Sequence, residues 1–146
     1  MSTSGYGEGR AFLAVLIAWI LAQTVKVFLG IIRERRFNFR WLVSTGGMPS
    51  THSAAVAALA TVVGYYYGFG SIIFAITLVF TLITMFDAAG VRRAVGKQAS
   101  VLNQVVDDLY ETGEVKETRL RDLLGHTPIE VFVGAAMGIL VAIAMR

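Results

Sequence analysis

The sequence predicts an all-α integral membrane protein, a bundle of about four transmembrane helices with an amphipathic helical segment on its cytoplasmic side. Three observations predict it. Of the 146 residues 55% are hydrophobic and only 16% charged, too apolar for an ordinary soluble domain of this size. The apolar residues fall in four long runs, and the basic residues between the runs gather in two of the three connections. Residues 1–146 read as a single membrane domain.

The first span is expected over residues 11–32, where Lys26 is the sole charge and the length exceeds the roughly 20 residues a crossing needs. A cleaved signal peptide is the competing reading, but the run is long and no basic residue precedes Arg10. A basic loop, 33–52, follows with Arg33, Arg35, Arg36 and Arg40. The second and third spans are expected at 53–69 and 71–89, joined by an uncharged turn at Gly68–Gly70; residues 71–86 carry no charge at all. Loop 90–127 holds Arg92, Arg93, Lys97, Lys116, Arg119 and Arg121. Within it Val101, Leu102, Val105, Val106 and Leu109 recur at helical spacing until Gly113, which predicts an amphipathic helix at the membrane surface or over the site. The last span is expected at 128–145.

The basic loops are predicted to face the cytoplasm, which puts both termini outside a multi-pass protein of the cell membrane. Tyr65, Tyr66, Tyr67 and Phe69 would form the outer aromatic belt and Phe37, Phe39 and Trp41 the inner one. The net charge of +3 is then an anchoring pattern, and no nucleic-acid partner is expected. Absence of cysteine removes disulfides, a thiolate nucleophile and cysteine-bound zinc. Small residues at Ala14, Ala18 and Ala22, at Gly64 and Gly68, and at Gly134 and Gly138 favour tight helix contacts, within one chain or in a homodimer.

Four functional groups are expected at one membrane level: Lys26 near the inner end of the first span, His52 opening the second, Asp87 closing the third and His126 opening the fourth. Ionisable groups at such depth are costly unless paired or lining a wet cavity, so Lys26 and Asp87 are candidates by position, with a purely structural Lys26–Asp87 ion pair as the plain alternative. Lys26 and Arg33 lie two helical turns apart and could reach one anion. Gly46 to Ser53 combines a glycine loop with a helix start, where unpaired amides around Gly47 and Ser50 suit a phosphate oxygen and Ser50 or Thr51 can cap. Glu130 follows His126 by four residues and can hold the imidazole's second nitrogen; helix capping is the plain reading.

These residues resemble the divergent branch of the type 2 phosphatidic acid phosphatases, in the superfamily that contains vanadium haloperoxidases. The resemblance is carried by Gln23–Lys26, Gly46–Ala54, Asp87–Arg93 with Gly96–Ala99, and Leu124–Val131. It implies phosphate-clamping roles for Lys26 and Arg33, a general acid at His52, and a nucleophile at His126 supported by Glu130. Three departures stand out: Glu34 replaces a proline, Thr51 a glycine, and Leu120 the third motif's arginine. Arg92, Arg93 or Arg121 is expected to replace that arginine.

The implied reaction is hydrolysis of a lipid phosphate monoester at the cytoplasmic membrane face through a phosphohistidine on His126, with no metal or other cofactor. Lys26, Arg33, Gly47, Ser50, Arg92 and Arg93, with Asp87 beside them, form the expected substrate-binding set. Two other classes compete with it. One is a metal-dependent phosphohydrolase using Asp87, Asp107 or Asp108, although adjacent carboxylates on a helix point apart. The other is a non-catalytic lipid-phosphate-binding membrane protein.

Overall fold

A computed structural model describes the backbone of residues 4–35, 39, 47–110 and 126–145, and the side chains of these except residues 4–8, 91–97, 104, 105 and 107–110. The described residues form four helices and no strand: α1 (Ser4–Glu34), α2 (Thr51–Tyr67), α3 (Ile72–Tyr110) and α4 (Pro128–Ala144). Helix α2 is the hub. It packs against α4, α1 and α3, while α1 and α3 flank it without touching each other among the described residues.

The packing is inverted relative to a water-soluble bundle. Its core is small, built from Ala14, Ala18, Ala22, Ala54, Ala58, Val62 and Ala142, whereas Phe12, Phe28, Ile76, Phe86, Phe132 and Leu140 point outward and are well exposed. Small residues let backbones approach where the surroundings are as apolar as the side chains, and large apolar groups then face lipid at no cost. Two helices are long and apolar enough to cross a bilayer, Gly9–Glu34 and Ile72–Gly90; Pro128–Ala144 is apolar but shorter.

On α1 every fourth residue from Ala14 to Gly30 is buried, so Ala14, Ala18, Ala22, Lys26 and Gly30 form one inward stripe. A spacing of four keeps side chains on one face over several turns. Lys26 stands in a row of small residues and is thereby turned into the bundle.

Two glycines on α4 set its distance from α2. A Cβ at Gly134 would run into the carbonyl of Ser50, and one at Gly138 into the carbonyl of Ala54. Ser50 N–H donates to the carbonyl of Glu130 at 3.0 Å, which pins the start of α2 to the first turn of α4. At the opposite end Gly68 closes α2 with φ 87°, and Arg10 Nη1 donates to the Tyr66 hydroxyl at 3.2 Å. Tyr65, Tyr66, Tyr67 and Phe69 are exposed around that turn, with the Phe69 ring wedged between Tyr65 and Phe74.

The largest difference from the expected boundaries is at the end of α3. The apolar part of α3, Ile72–Gly90, coincides with the third expected span, but the helix does not end in a loop at 90; it continues to Tyr110. Charge marks where a helix leaves an apolar medium, whereas a helix ends only where a breaker or a cap stops it, and neither proline nor a capping signal follows Gly90 at once. The expected amphipathic helix is therefore, as far as Tyr110, the continuation of the third span, with Val101 and Leu102 exposed on it. Its remainder to Leu124, like Phe37 and Trp41 of the inner belt, lies outside the described residues.

Gly138→Ala is expected to lower stability by about 2 kcal/mol, the usual cost of forcing a group into a packed contact, read as an earlier thermal transition in detergent. Ala136→Gly, at an exposed position on the same helix, should cost no more than about 1 kcal/mol.

Candidate functional site

The starts of two helices meet at the level of Lys26. At α2, Ser50 is the N-cap, fully buried, and its Oγ accepts from Ser53 N–H at 3.3 Å and from the Ser53 hydroxyl at 3.0 Å. Ahead of it Gly47 has φ 96°, a conformation that favours glycine, and Met48–Pro49 is cis with Pro49 buried. The amide of Ser50 is occupied by Glu130. The backbone donors that remain in this turn are therefore Thr51 and His52, which have no intrahelical acceptor at a helix start.

At α4, Thr127 is the N-cap and Glu130 the third helical residue, and they form a reciprocal capping box. Thr127 N–H donates to Glu130 Oε2 at 2.8 Å, and Glu130 N–H donates to Thr127 Oγ1 at 3.3 Å. The same Oε2 lies 3.3 Å from His126 Nδ1. A further tie comes from α3, because His126 N–H donates to the carbonyl of Ala88 at 3.2 Å. The imidazole is thus held by α3 through its backbone and by α4 through its ring.

With Nδ1 on the carboxylate, Nε2 is the nitrogen left to react. His126 Nε2 is buried and has no hydrogen-bond partner among the described residues. A buried polar nitrogen without a partner carries a desolvation cost that a native fold retains only for a reason, and a reacting or binding atom is one such reason. The His52 ring stands opposite, with centroids 6.5 Å apart and planes inclined at 58°. Unlike His126, His52 is exposed, so the approach to the site is on the His52 side.

The charges around His126 come from three helices. Burial pushes its pKa below the ordinary 6.5, the Lys26 ammonium and more weakly His52 push the same way, and Glu130 opposes them. The neutral imidazole, with an available lone pair, therefore persists to lower pH than for a solvated histidine. Lys26 is buried from solvent and feels the charge of Glu130.

Lys26, Ser50, His52, His126 and Glu130 are brought together. The plain alternative of a Lys26–Asp87 ion pair is not what forms: the Asp87 side chain is exposed and pairs with no described residue, and Glu130 supplies the charge near Lys26. Its neighbour Ala88 joins the cluster through a carbonyl, because residues 87 and 88 lie on different faces of α3. Arg33 ends α1 exposed, outside the buried cluster. Arg92 and Arg93 lie on α3 just past Gly90, and their side chains, like those of Asp107 and Asp108, fall outside the described ones. Leu120 and Arg121 lie outside the described residues. Among the described residues no three His, Asp or Glu side chains gather as a metal site would require.

Ser53 and Thr127 were missed as site residues. Thr127-x-x-Glu130 is a capping-box pattern legible in the sequence, whereas Ser53 offers only its place in the first turn of a helix. The register of Lys26 with the alanine stripe was likewise there to be read.

A family model described as the Divergent PAP2 family matches residues 8–141. The uncharacterized membrane protein YuiD of Bacillus subtilis (strain 168) is 44% identical over 144 residues, with 91% of each chain covered. No solved structure matches.

The charges around His126 make a signed prediction. Lys26→Met removes a cation and should raise the His126 titration midpoint, whereas Glu130→Gln removes an anion and should lower it, both followed by histidine NMR against pH. Equal midpoints in the three proteins would detach these groups from the imidazole.

Proposed function

As the chain belongs to the Divergent PAP2 family, we propose that it is a multi-pass membrane phosphatase that hydrolyses a lipid phosphate monoester at the cytoplasmic face through a phosphohistidine on His126. The observation that carries this reading is the buried Nε2 of His126, which has no hydrogen-bond partner among the described residues, on a ring whose centroid lies 6.5 Å from that of a second imidazole. In-line transfer needs a nucleophile at about 3–3.5 Å from phosphorus and an acid within about 2.6–3.2 Å of the leaving oxygen on the far side, so the two nitrogens must stand about 7 Å or more apart, which the exposed His52 ring reaches by swinging outward from His126.

In the first step the Nε2 lone pair forms the N–P bond, the P–O bond to the lipid alcohol breaks, and His52 gives its proton to the departing oxygen. Glu130 holds the Nδ1 proton and balances the positive charge that attack places on the ring. In the second step water loses a proton to His52 and attacks phosphorus, the N–P bond breaks, and inorganic phosphate leaves. Lys26, the amides of Thr51 and His52, and from the membrane surface Arg33 with one of Arg92 and Arg93, spread the charge of the nonbridging oxygens. The site level suits phosphatidate or phosphatidylglycerophosphate in the cytoplasmic leaflet. In this reading all four helices cross the membrane and both termini lie outside.

A second reading, a non-catalytic binder of lipid phosphates, is favoured by the near-complete burial of Lys26, Ser50 and His126 and by Leu120 in place of the family arginine. Phosphate release from a panel of detergent-solubilised lipid phosphates separates the two. The phosphatase reading expects release by the wild type that is unchanged by chelator, absent in His126→Ala, and reduced by about two to four orders of magnitude in His52→Ala. Headgroup binding without release would leave the binder, and loss of release with chelator would favour a metal-dependent route through Asp87, Asp107 or Asp108.

A further inference from the structure

We propose that Thr127 is a positioning residue for this reaction, and that the acid at position 130 must be glutamate because one carboxylate oxygen serves both a helix cap and the nucleophile. The inference deepens the phosphatase reading and rests on it for its kinetic part alone.

Glu130 Oε2 sits 2.8 Å from Thr127 N and 3.3 Å from His126 Nδ1. Two donors on one oxygen fix its place in two directions. The shorter contact is to the amide, so the helix cap fixes the oxygen, and the fixed oxygen is the acceptor for a proton on Nδ1. The return bond, Glu130 N–H to Thr127 Oγ1 at 3.3 Å, holds the backbone of residue 130 where its side chain can fold back over residue 127. Aspartate is one methylene shorter than this reach from the same backbone, and Glu and Gln are the usual residues at this position of a capping box. The hydroxyl of Thr127 therefore acts on His126 through Glu130, although it touches neither the ring nor the phosphoryl group.

The consequence is a single tautomer. With Oε2 locked, Nδ1 carries the proton and Nε2 presents its lone pair. The other charged or titratable groups facing the ring are Lys26 from α1 and His52 from α2; from α3 the described contact is the uncharged carbonyl of Ala88. None of these can replace a hydrogen-bonded anion at Nδ1.

The test uses full-length protein labelled with 15N-histidine, which gives two ring systems to assign because the chain has only two histidines. The wild type should show His126 as the Nδ1–H tautomer. Thr127→Val, nearly isosteric but without an acceptor, should mix the tautomers and lower kcat/KM about fivefold, while Thr127→Ser restores both. Glu130→Asp should behave like Thr127→Val or worse, and Glu130→Gln should keep the helix start yet lose the preference at Nδ1. A wild-type His126 protonated on Nε2 overturns the proposal without any variant. So does a Thr127→Val protein with wild-type ring shifts and wild-type kcat/KM, and that result leaves the phosphatase reading intact. An Nδ1–H tautomer that depends on Thr127 in a protein releasing no phosphate supports the lock and rejects the phosphatase.

Discussion

Gly134 and Gly138 leave the carbonyls of Ser50 and Ala54 where side chains would otherwise stand, and the rest of the arrangement depends on that close approach of α2 and α4. It allows the Ser50 amide to reach the Glu130 carbonyl, which ties the start of one helix to the first turn of the other. His52 stands two residues into α2 and His126 two residues before α4. Their 6.5 Å separation is therefore a product of backbone packing, with no direct bond between the rings. A functional pair held by backbone geometry is steadier than one held by long side chains, which must lose rotamer freedom to meet.

The same approach explains how a cation, a carboxylate and a neutral imidazole coexist under low-dielectric cover. Lys26 is carried inward by the alanine stripe of α1, and an isolated ammonium there would be costly. Glu130 offsets it while remaining tied to Thr127 and His126. One carboxylate thus acts on three partners, one on α1 and two in the turn before α4. Removal of that carboxylate would leave a buried cation, a loosened helix start and an unanchored ring together, so the effects of variants at these positions will not add.

Much of this was legible in the sequence, for identifiable reasons. The all-helical, apolar character followed from run length and composition, and the His126–Glu130 contact from a spacing of four on a helix beginning at a proline. The family resemblance drawn from the blocks around Lys26, His52, Asp87 and His126 agrees with the match over residues 8–141. Two kinds of feature escaped. The end of α3 was misplaced because the arginines after Gly90 report the polarity of the surroundings and say nothing about the backbone. That the Ser50 amide is occupied could not be read locally, because its acceptor, the Glu130 carbonyl, is 80 residues away in the chain and no local pattern records such a bond. Asp87 looked like a member of the site by depth alone, but depth does not specify a helix face, and Ala88 took the inward contact.

The central claim is that His126 Nε2 becomes bonded to phosphorus during turnover. Protein mixed with a lipid phosphate labelled on its phosphoryl group, quenched within one turnover under alkaline conditions that preserve phosphoramidates and then mapped by peptide, tests it most directly. The account predicts label on His126, lost on brief exposure to acid and chased away by unlabelled substrate. Phosphate release by the protein with no label on His126, or with label on another residue, would contradict it.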